Sequence, residues 1–128
     1  MRLSFETPEE RRTLAGGRVT IEVVRVAGMP VLRVSHAPGW RWSQHTAPEA
    51  GVDRCPGFHF GVMVSGELEV EEADGTTYVA RPGDPLAIEP GHDAWTLGDE
   101  PAVLVQLDEG ESAGRRFGLS CPEKEVKE

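Results

Sequence analysis

Residues 59–71, which read HFGVMVSGELEVE, decide the fold class of this chain. The largely apolar run over residues 59–64 predicts a strand, and Ser65 and Gly66 predict a turn. Residues 67–71 alternate glutamate with an apolar residue, which is typical of a returning strand with one solvated face. Asp74-Gly75 then supplies a strong hairpin signal. We therefore predict antiparallel β-structure made of short strands joined by tight turns.

Similar runs lie on both sides of this stretch and bring the expected number of strands to roughly nine or ten. They cover residues 18–26, 31–36, 76–80, 86–89, 94–97 and 102–107. The alternation WRWSQH at residues 40–45 predicts a further strand near Trp40, followed by a loop over residues 46–57. Turn signals recur about every 8–12 residues, as in antiparallel sandwiches and barrels. We therefore expect an all-β fold with little or no helix.

The overall composition is that of one small acidic domain. The chain has 128 residues, a formal net charge of −9 and a pI near 4.9. Because an acidic surface repels phosphate backbones, nucleic-acid binding is excluded, and no apolar run approaches the 18 residues that a membrane span requires. A domain of this size buries only about two-thirds of its unfolded surface, so we expect a homodimer that covers an additional sheet face.

The ends of the chain and its two cysteines indicate a cytoplasmic protein. The first ten residues, MRLSFETPEE, lack an apolar signal core. Cys55 and Cys121 lie far apart and form no paired motif, so reduced thiols are the simplest interpretation, although one disulfide between them stays open. We place the domain at residues 1–110 and expect the charged tail at residues 111–128 to be partly disordered.

Two spacing patterns give the chain a family resemblance. Gly39 is followed after five residues by His45, and His59 is followed after six residues by Gly66. Gly83 is followed five residues later by the segment EPGH at residues 89–92. With the phrases VMVSGELEV and RPGD, these patterns resemble the two motifs of small single-domain cupins over residues 38–107. The resemblance implies an antiparallel double-sheet jelly-roll barrel with a metal or ligand pocket inside.

The chain departs from the cupin motifs at most of the positions that hold the metal. Ala47 stands at the second histidine of the first motif, and His59 stands at its glutamate. In the second motif, Ala94 stands at the histidine, and His92 lies two residues earlier. The usual set of four ligands is therefore not intact, and both a metal site and a metal-free polar pocket stay open.

Three histidines are the candidate metal ligands: His45, His59 and His92. Neutral imidazole binds zinc, iron and nickel, and three protein ligands leave one coordination position open for a substrate, so the divalent metals to consider beside a metal-free pocket are zinc, iron, nickel and manganese. Cys55 lies four residues before His59, near the position of the missing histidine, and is either a thiolate ligand or an ordinary reduced cysteine.

The neighbouring pocket residues follow from strand alternation. If His59 points inward, Gly61 and Met63 share its face, and the glycine leaves space for a ligand. If His45 points inward, Arg41 and Ser43 share its face, while Trp40 and Trp42 lie on the opposite face unless a bulge reverses the register. An inward arginine favours a carboxylate or phosphate. Trp95 is expected in the core or pocket wall, His36 at a strand edge, and Asp93 as a partner of the His92 imidazole or as a turn residue.

Three functions are compatible with these residues. The first is a small-molecule-binding domain, with an anionic ligand and a degenerate histidine site for a divalent metal. The second is a metal-dependent enzyme, a dioxygenase, isomerase or hydrolase, that acts on a small organic acid. The third is a partner-binding role for the three tryptophans, Trp40, Trp42 and Trp95. The broken ligand set slightly favours the first function, because a fold alone does not determine an activity.

Overall fold

The computed structural model describes residues 2–107. Nine antiparallel strands account for about half of them. In chain order the strands are β1 (Glu10–Leu14), β2 (Val19–Val26), β3 (Met29–His36), β4 (His59–Ser65), β5 (Glu67–Glu71), β6 (Thr77–Ala80), β7 (Pro85–Ile88), β8 (Asp93–Leu97) and β9 (Ala102–Leu107). The expected tail at residues 111–128 lies outside the described residues.

The strands form two sheets that pack face to face without closing into a continuous barrel. One sheet has six strands in the order β1-β2-β3-β9-β4-β7, and the other has three in the order β6-β5-β8. The apolar inner faces of both sheets make the core. Its members include Val23, Leu32, Val34, Met63, Leu68, Val70, Ile88 and Leu104. The predicted all-β, antiparallel double-sheet architecture is confirmed.

The strand predicted near Trp40 is wrong. A π-helical turn covers Trp42–Thr46 and runs into a short α-helix, α1, at Ala47–Ala50. Pro48 suits the first turn of a helix, and Gly51, with φ of 79°, ends it in the left-handed conformation that glycine adopts easily. Trp40 and Trp42 do not share an outer face, because both are buried in the core. Trp40 precedes the turn, and its Nε1 donates to the Thr46 Oγ1 at 3.0 Å.

His36 also differs from its predicted place at a strand edge. Strand β3 lies inside the six-stranded sheet, between β2 and β9, and His36 is buried. Its Nδ1 lies 2.9 Å from the carbonyl oxygen of Ala102, to which it donates, and its ring lies 4.6 Å from that of Trp40. Its imidazole is therefore part of the interior.

Within residues 2–107, no helix combines the length and the apolar character that a membrane crossing requires.

Candidate metal centre

Cys55, His59 and His92 meet inside one end of the sandwich, and we call them the Cys-His-His cluster. Each offers one ligand atom, and these atoms all lie within 4.8 Å of one another. His59 is the first residue of β4, and His92 immediately precedes β8. Cys55 belongs to the loop before β4, which pairs with the residues before β8: the Cys55 amide donates to the carbonyl of His92, and the Gly91 amide donates to that of Cys55. Two backbone hydrogen bonds therefore hold the loop thiol beside the imidazoles.

The three side chains present suitable donor atoms to one another. The Cys55 Sγ lies 3.6 Å from the His59 Nε2, and the rings of His59 and His92 have centroids 5.0 Å apart at an interplanar angle of 73°. The His92 Nδ1 donates to the carbonyl oxygen of Glu89 at 2.6 Å. Because that bond fixes the tautomer, the His92 Nε2 keeps an unprotonated lone pair, which is the form that binds a metal.

One polar atom in the cluster has no protein partner among the described residues. The His59 Nδ1 is buried and makes no hydrogen bond within residues 2–107. Leaving a buried polar atom unsatisfied costs about 1–3 kcal/mol, so this nitrogen calls for a water molecule or a side chain such as Gln106, while the Nε2 of the same ring faces Cys55. The donor set of one sulfur and two imidazole nitrogens fits a metal of the zinc class.

Burial keeps the imidazoles of the cluster neutral at physiological pH. Desolvation, with repulsion from His36, lowers the pKa of His59 to about 4, against an opposing contribution from the Gln106 side chain. Desolvation, with repulsion from His59, lowers the pKa of His92 to about 4 as well. Since only the neutral ring can coordinate a metal, these pKa values leave both ligands ready to bind near neutral pH.

Gly57 lines the cluster from the side of the loop. A Cβ added there would lie 3.5 Å from the Nε2 of His59 and 3.7 Å from the sulfur of Cys55, which is ordinary van der Waals contact.

Gly61 has a different role from the expected one. A Cβ at Gly61 would overlap the carbonyl oxygen of Val105, so the missing side chain makes room for the backbone of β9 and not for a ligand.

The structure places His45 apart from the other two predicted histidine ligands. His45 lies in the π-helical turn, where its Nδ1 accepts a hydrogen bond of 3.0 Å from the backbone amide of Arg41. The third side chain that offers a ligand atom beside His59 and His92 is that of Cys55. A role for His45 in metal binding stays a prediction, and Cys55 is the residue that the fold brings to this position.

Arg41, Ser43, Asp93 and Trp95 form a second polar group, which we call the Arg41–Asp93 clamp. The Arg41 Nε and Nη2 both lie 3.1 Å from the Asp93 Oδ2, and the Ser43 amide donates to the Asp93 Oδ1 at 3.0 Å. The Arg41 guanidinium also lies 4.1 Å from the centre of the Trp95 ring. The clamp ties the π-helical turn to β8, and it balances the arginine charge that was expected to attract an anionic ligand.

The remaining predicted pocket residues fall into different environments. Met63 is almost fully buried in the core, at 1% exposure, and Asp93 bonds to the π-helical turn instead of to the His92 ring. Sequence reasoning did not include Gln106, a buried polar residue on the inner face of β9 that pairs with Gly61 of β4. A signal for it existed, because Gln106 interrupts the apolar pattern AVLVQL at an inward position.

A separate surface groove lies between the edge strands β6 and β7. It has a volume of about 390 Å³ and is lined by Glu72, Tyr78, Val79, Ala80, Asp84, Pro85, Leu86 and Ala87. The Tyr78 hydroxyl donates to the Glu72 Oε2 at 2.8 Å, and burial with this contact raises the pKa of Tyr78. The groove shares no residue with the Cys-His-His cluster, so it is not the space in which a metal would be held.

Comparison with known proteins places the fold and leaves the activity open. No protein-family model matches the sequence, and no curated protein sequence matches it. A sugar phosphate isomerase of the cupin superfamily from Silicibacter pomeroyi has a similar structure, with a TM-score of 0.60, 20% identity, and coverage of 84% of this chain and 74% of its own.

Two further solved structures are similar over most of their length. A conserved protein with a double-stranded β-helix domain from Klebsiella pneumoniae gives a TM-score of 0.54 at 20% identity, covering 83% of this chain and 81% of its own. A cupin domain of an XRE-family transcriptional regulator from Enterobacter cloacae gives 0.51 at 15% identity, covering 70% and 94%. Identities this low establish a likeness of fold alone.

Proposed function

Because this chain has the cupin fold, we propose that it is a small-molecule-binding domain that holds a divalent metal at Cys55, His59 and His92. The single observation that supports the proposal is the convergence of these three side chains, whose ligand atoms all lie within 4.8 Å of one another. The His59 Nε2, which lies 3.6 Å from the Cys55 sulfur, is the ring nitrogen of His59 that would bind the ion.

The donor chemistry favours zinc over harder ions. A thiolate with two neutral imidazoles is a set that zinc prefers, whereas manganese favours carboxylate and water oxygens. Iron and nickel also accept imidazole and thiolate donors, so they are the next candidates. A thiolate ligand stays available only where cysteines are kept reduced, which agrees with the expected cytoplasmic location.

The charges around the site favour a small organic anion as the ligand. A divalent ion held by one thiolate and two neutral imidazoles has a net charge of about +1 and an open coordination position. The Arg41 guanidinium is already paired with Asp93, so the metal would supply the positive charge that attracts a carboxylate. When bound, such a metal polarises a coordinated oxygen as a Lewis acid.

A second candidate function is a metal-dependent enzyme that acts on a small organic acid. Three protein ligands and one open position are the arrangement that catalytic zinc sites use, which supports this candidate. The similar structure from Silicibacter pomeroyi is a sugar phosphate isomerase, so isomerisation is the first reaction to assay.

Metal analysis of site variants tests the proposal. Protein purified without a metal-affinity tag should contain close to one equivalent of metal. His59→Ala and Cys55→Ser should lose it. His45→Ala is the matched control, because this histidine lies outside the cluster, and it should retain the metal. In the cobalt-substituted protein, Cys55→Ser should also remove the thiolate-to-cobalt charge-transfer band.

Two results would contradict the proposal in different ways. If His45→Ala loses the metal and Cys55→Ser retains it, the third metal ligand is His45 and not the Cys55 thiolate. Absence of metal binding in the wild-type protein, after dialysis against zinc, iron and nickel salts in turn, would remove the metal centre altogether. Shifts of the cobalt spectrum on adding small organic acids would separate a ligand-binding site from a metal held only for stability.

A further inference from the structure

Gln106 is a buried amide whose nearest neighbours in the sheet are apolar. It lies on the inner face of β9 at 8% exposure, and Ala102 and Leu104 continue the same face with apolar side chains. Its strand partners offer no polar side chain either, because Leu32 of β3 lies on one side and Gly61 of β4 on the other. Burying an amide without a hydrogen-bond partner is costly, so its place inside the sandwich calls for a polar group beyond these neighbours.

Gln106 and His59 face the same interior space from neighbouring strands. Gln106 pairs with Gly61, and His59 lies two residues before Gly61 on the same face of β4, so the two side chains are diagonal neighbours within reach of a long side chain. A Cβ at Gly61 would overlap the Cα of Gln106, so the missing side chain lets the two strands approach closely here. The Gln106 side chain is near enough to raise the pKa of His59 against the effect of burial.

The two nitrogens of the His59 ring are in different situations. The Nε2 lies 3.6 Å from the Cys55 sulfur, whereas the Nδ1 is buried and makes no completed hydrogen bond within residues 2–107. The terminal torsion of a glutamine is broad and roughly twofold, so rotation of the Gln106 amide can present its oxygen to the Nδ1 without moving the backbone. An amide oxygen accepts a hydrogen bond from a ring N–H, which would satisfy both buried groups at once.

The partner of the Nδ1 decides which nitrogen of His59 is free to bind a metal. A neutral imidazole carries a single ring proton. With that proton on the Nδ1, the Nε2 keeps a lone pair that faces Cys55. With the proton on the Nε2, the ring donates to the Cys55 sulfur and offers no lone pair to an ion at that place. A buried Nδ1–H without an acceptor is costly, so the metal-binding tautomer needs an acceptor beside the Nδ1.

We propose that Gln106 is a positioning residue of the metal centre: its amide oxygen accepts a hydrogen bond from the His59 Nδ1 and keeps the Nε2 unprotonated for the metal. The inference rests on the proposed metal site at the Cys-His-His cluster. His92 has the same device in another form, because its Nδ1 donates to the Glu89 carbonyl oxygen at 2.6 Å. Both imidazoles then offer their Nε2 atoms, each oriented by an acceptor on the far side of its ring.

Imidazole ¹⁵N NMR of the metal-depleted full chain tests the tautomer directly. The chain has four histidines, and His59→Ala assigns the signals of His59. We expect the Nδ1–H tautomer in the wild type and in Gln106→Glu, which keeps an oxygen at the same reach. Gln106→Met has nearly the same length but no comparable acceptor, so it should shift His59 to the Nε2–H tautomer. Thr96→Val is the matched control, because it removes a polar group of equal burial from the other sheet.

Zinc affinity, measured by competition with a chromophoric chelator, gives a second readout. Gln106→Met should bind zinc about 10–100-fold more weakly than the wild type, as is typical for the loss of a group that orients a metal-binding histidine. Thr96→Val should bind zinc as tightly as the wild type and keep the Nδ1–H tautomer. Circular dichroism of both variants separates a local effect on His59 from misfolding.

Two results would overturn the role of Gln106. A wild-type His59 in the Nε2–H tautomer does so whether or not Gln106→Met folds. A folded Gln106→Met protein that keeps the Nδ1–H tautomer and the wild-type zinc affinity also does so, because a water molecule must then satisfy the Nδ1. A wild-type chain that binds no metal contradicts the proposed function instead, and the NMR comparison still decides the hydrogen bond between His59 and Gln106 because it needs no metal.

Discussion

His92 and Asp93 are consecutive residues, yet they belong to two regions that use their polar atoms in opposite ways. His92 points into the Cys-His-His cluster, where the neighbouring His59 has a buried Nδ1 without a hydrogen-bond partner in the described part of the chain. Asp93 points into the Arg41–Asp93 clamp, where both carboxylate oxygens accept hydrogen bonds from other parts of the protein.

This difference shows that the type of a residue does not decide whether it is available to a ligand. Arg41 is the residue that sequence alone would choose to attract an anion, but its guanidinium is held by Asp93 and stacked on Trp95. The Cys-His-His cluster contains no permanently charged side chain that would suggest a site, but its donor atoms all lie within 4.8 Å of one another. The clamp joins the π-helical turn to β8, and the cluster brings three donor atoms together.

The largest effect expected at neutral pH comes from removing the carboxylate of the clamp. Asp93→Ala should lower the free energy of unfolding by about 3 kcal/mol, because it leaves the Ser43 amide and the Arg41 guanidinium without their shared partner. This loss is at the low end of the range for a broken buried ion pair, since the Arg41 side chain is 38% exposed and water partly replaces the lost contact. Urea denaturation measures the change, and Glu69→Ala on β5 should change it by less than about 0.5 kcal/mol. An equally small effect of both substitutions would show that the clamp does not stabilise the fold.

The second effect concerns the acid sensitivity of the buried imidazoles, and His36 is the one of them that lies outside the Cys-His-His cluster. Desolvation lowers the pKa of His36 to about 4 in the folded protein, against 6.5 for an exposed histidine. Between these values the unfolded chain binds a proton that the folded chain does not, so stability falls as the pH drops from 6.5 to 4. His36→Asn keeps a donor for the Ala102 carbonyl without titrating.

Denaturation of metal-depleted protein at several pH values measures this contribution. When the pH falls from 7 to 4, the wild type should lose on the order of 3 kcal/mol more stability than His36→Asn. The substitution removes a pKa difference of about 2.5 units between the folded and the unfolded chain. Ser43→Ala serves as a control that should leave the pH profile unchanged. Identical profiles for His36→Asn and the wild type would mean that His36 is protonated or solvated in the folded state.

The smallest expected effect distinguishes the two hydrogen bonds that Ser43 makes within the clamp. Ser43→Ala removes the hydroxyl that accepts from the Arg41 Nε at 3.1 Å but keeps the backbone amide that donates to Asp93. We expect a loss of about 0.5 kcal/mol or less in the free energy of unfolding, since Arg41 keeps its carboxylate partner. A loss as large as that of Asp93→Ala would indicate that the hydroxyl, and not the carboxylate, holds the π-helical turn in place.

The fold was predictable where local signals agree with one another. The alternation in residues 67–71 and the turns at Ser65-Gly66 and Asp74-Gly75 identified β4, β5 and β6, because strand pairing between neighbours depends mainly on turns and on side-chain period. The prediction failed at WRWSQH, where the alternation of large and polar residues imitates a strand. Burial of both indoles and the start of α1 at Ala47 made a helical turn the better solution there.

The candidate site was predictable only in part. The motif spacing identified His59 and His92, and counting back from His59 raised Cys55 as an alternative ligand. The spacing did not separate Cys55 from His45, because both lie in a segment whose path to β4 depends on the helical turn and on the pairing of Cys55 with His92. The role of Gly61 was also hidden, since the close approach of Val105 is a contact between strands that are 44 residues apart in sequence.

The sequence by itself determined the short antiparallel strands, the acidic character of the chain, and the residues from which a metal site can be made. These properties follow from composition, period and turn chemistry, which act over a few residues. The tertiary structure decided which polar groups meet: it gave Arg41 to Asp93 and brought Cys55 to His59 and His92. Convergence of this kind depends on the packing of two sheets and on the course of one loop, which no local pattern encodes.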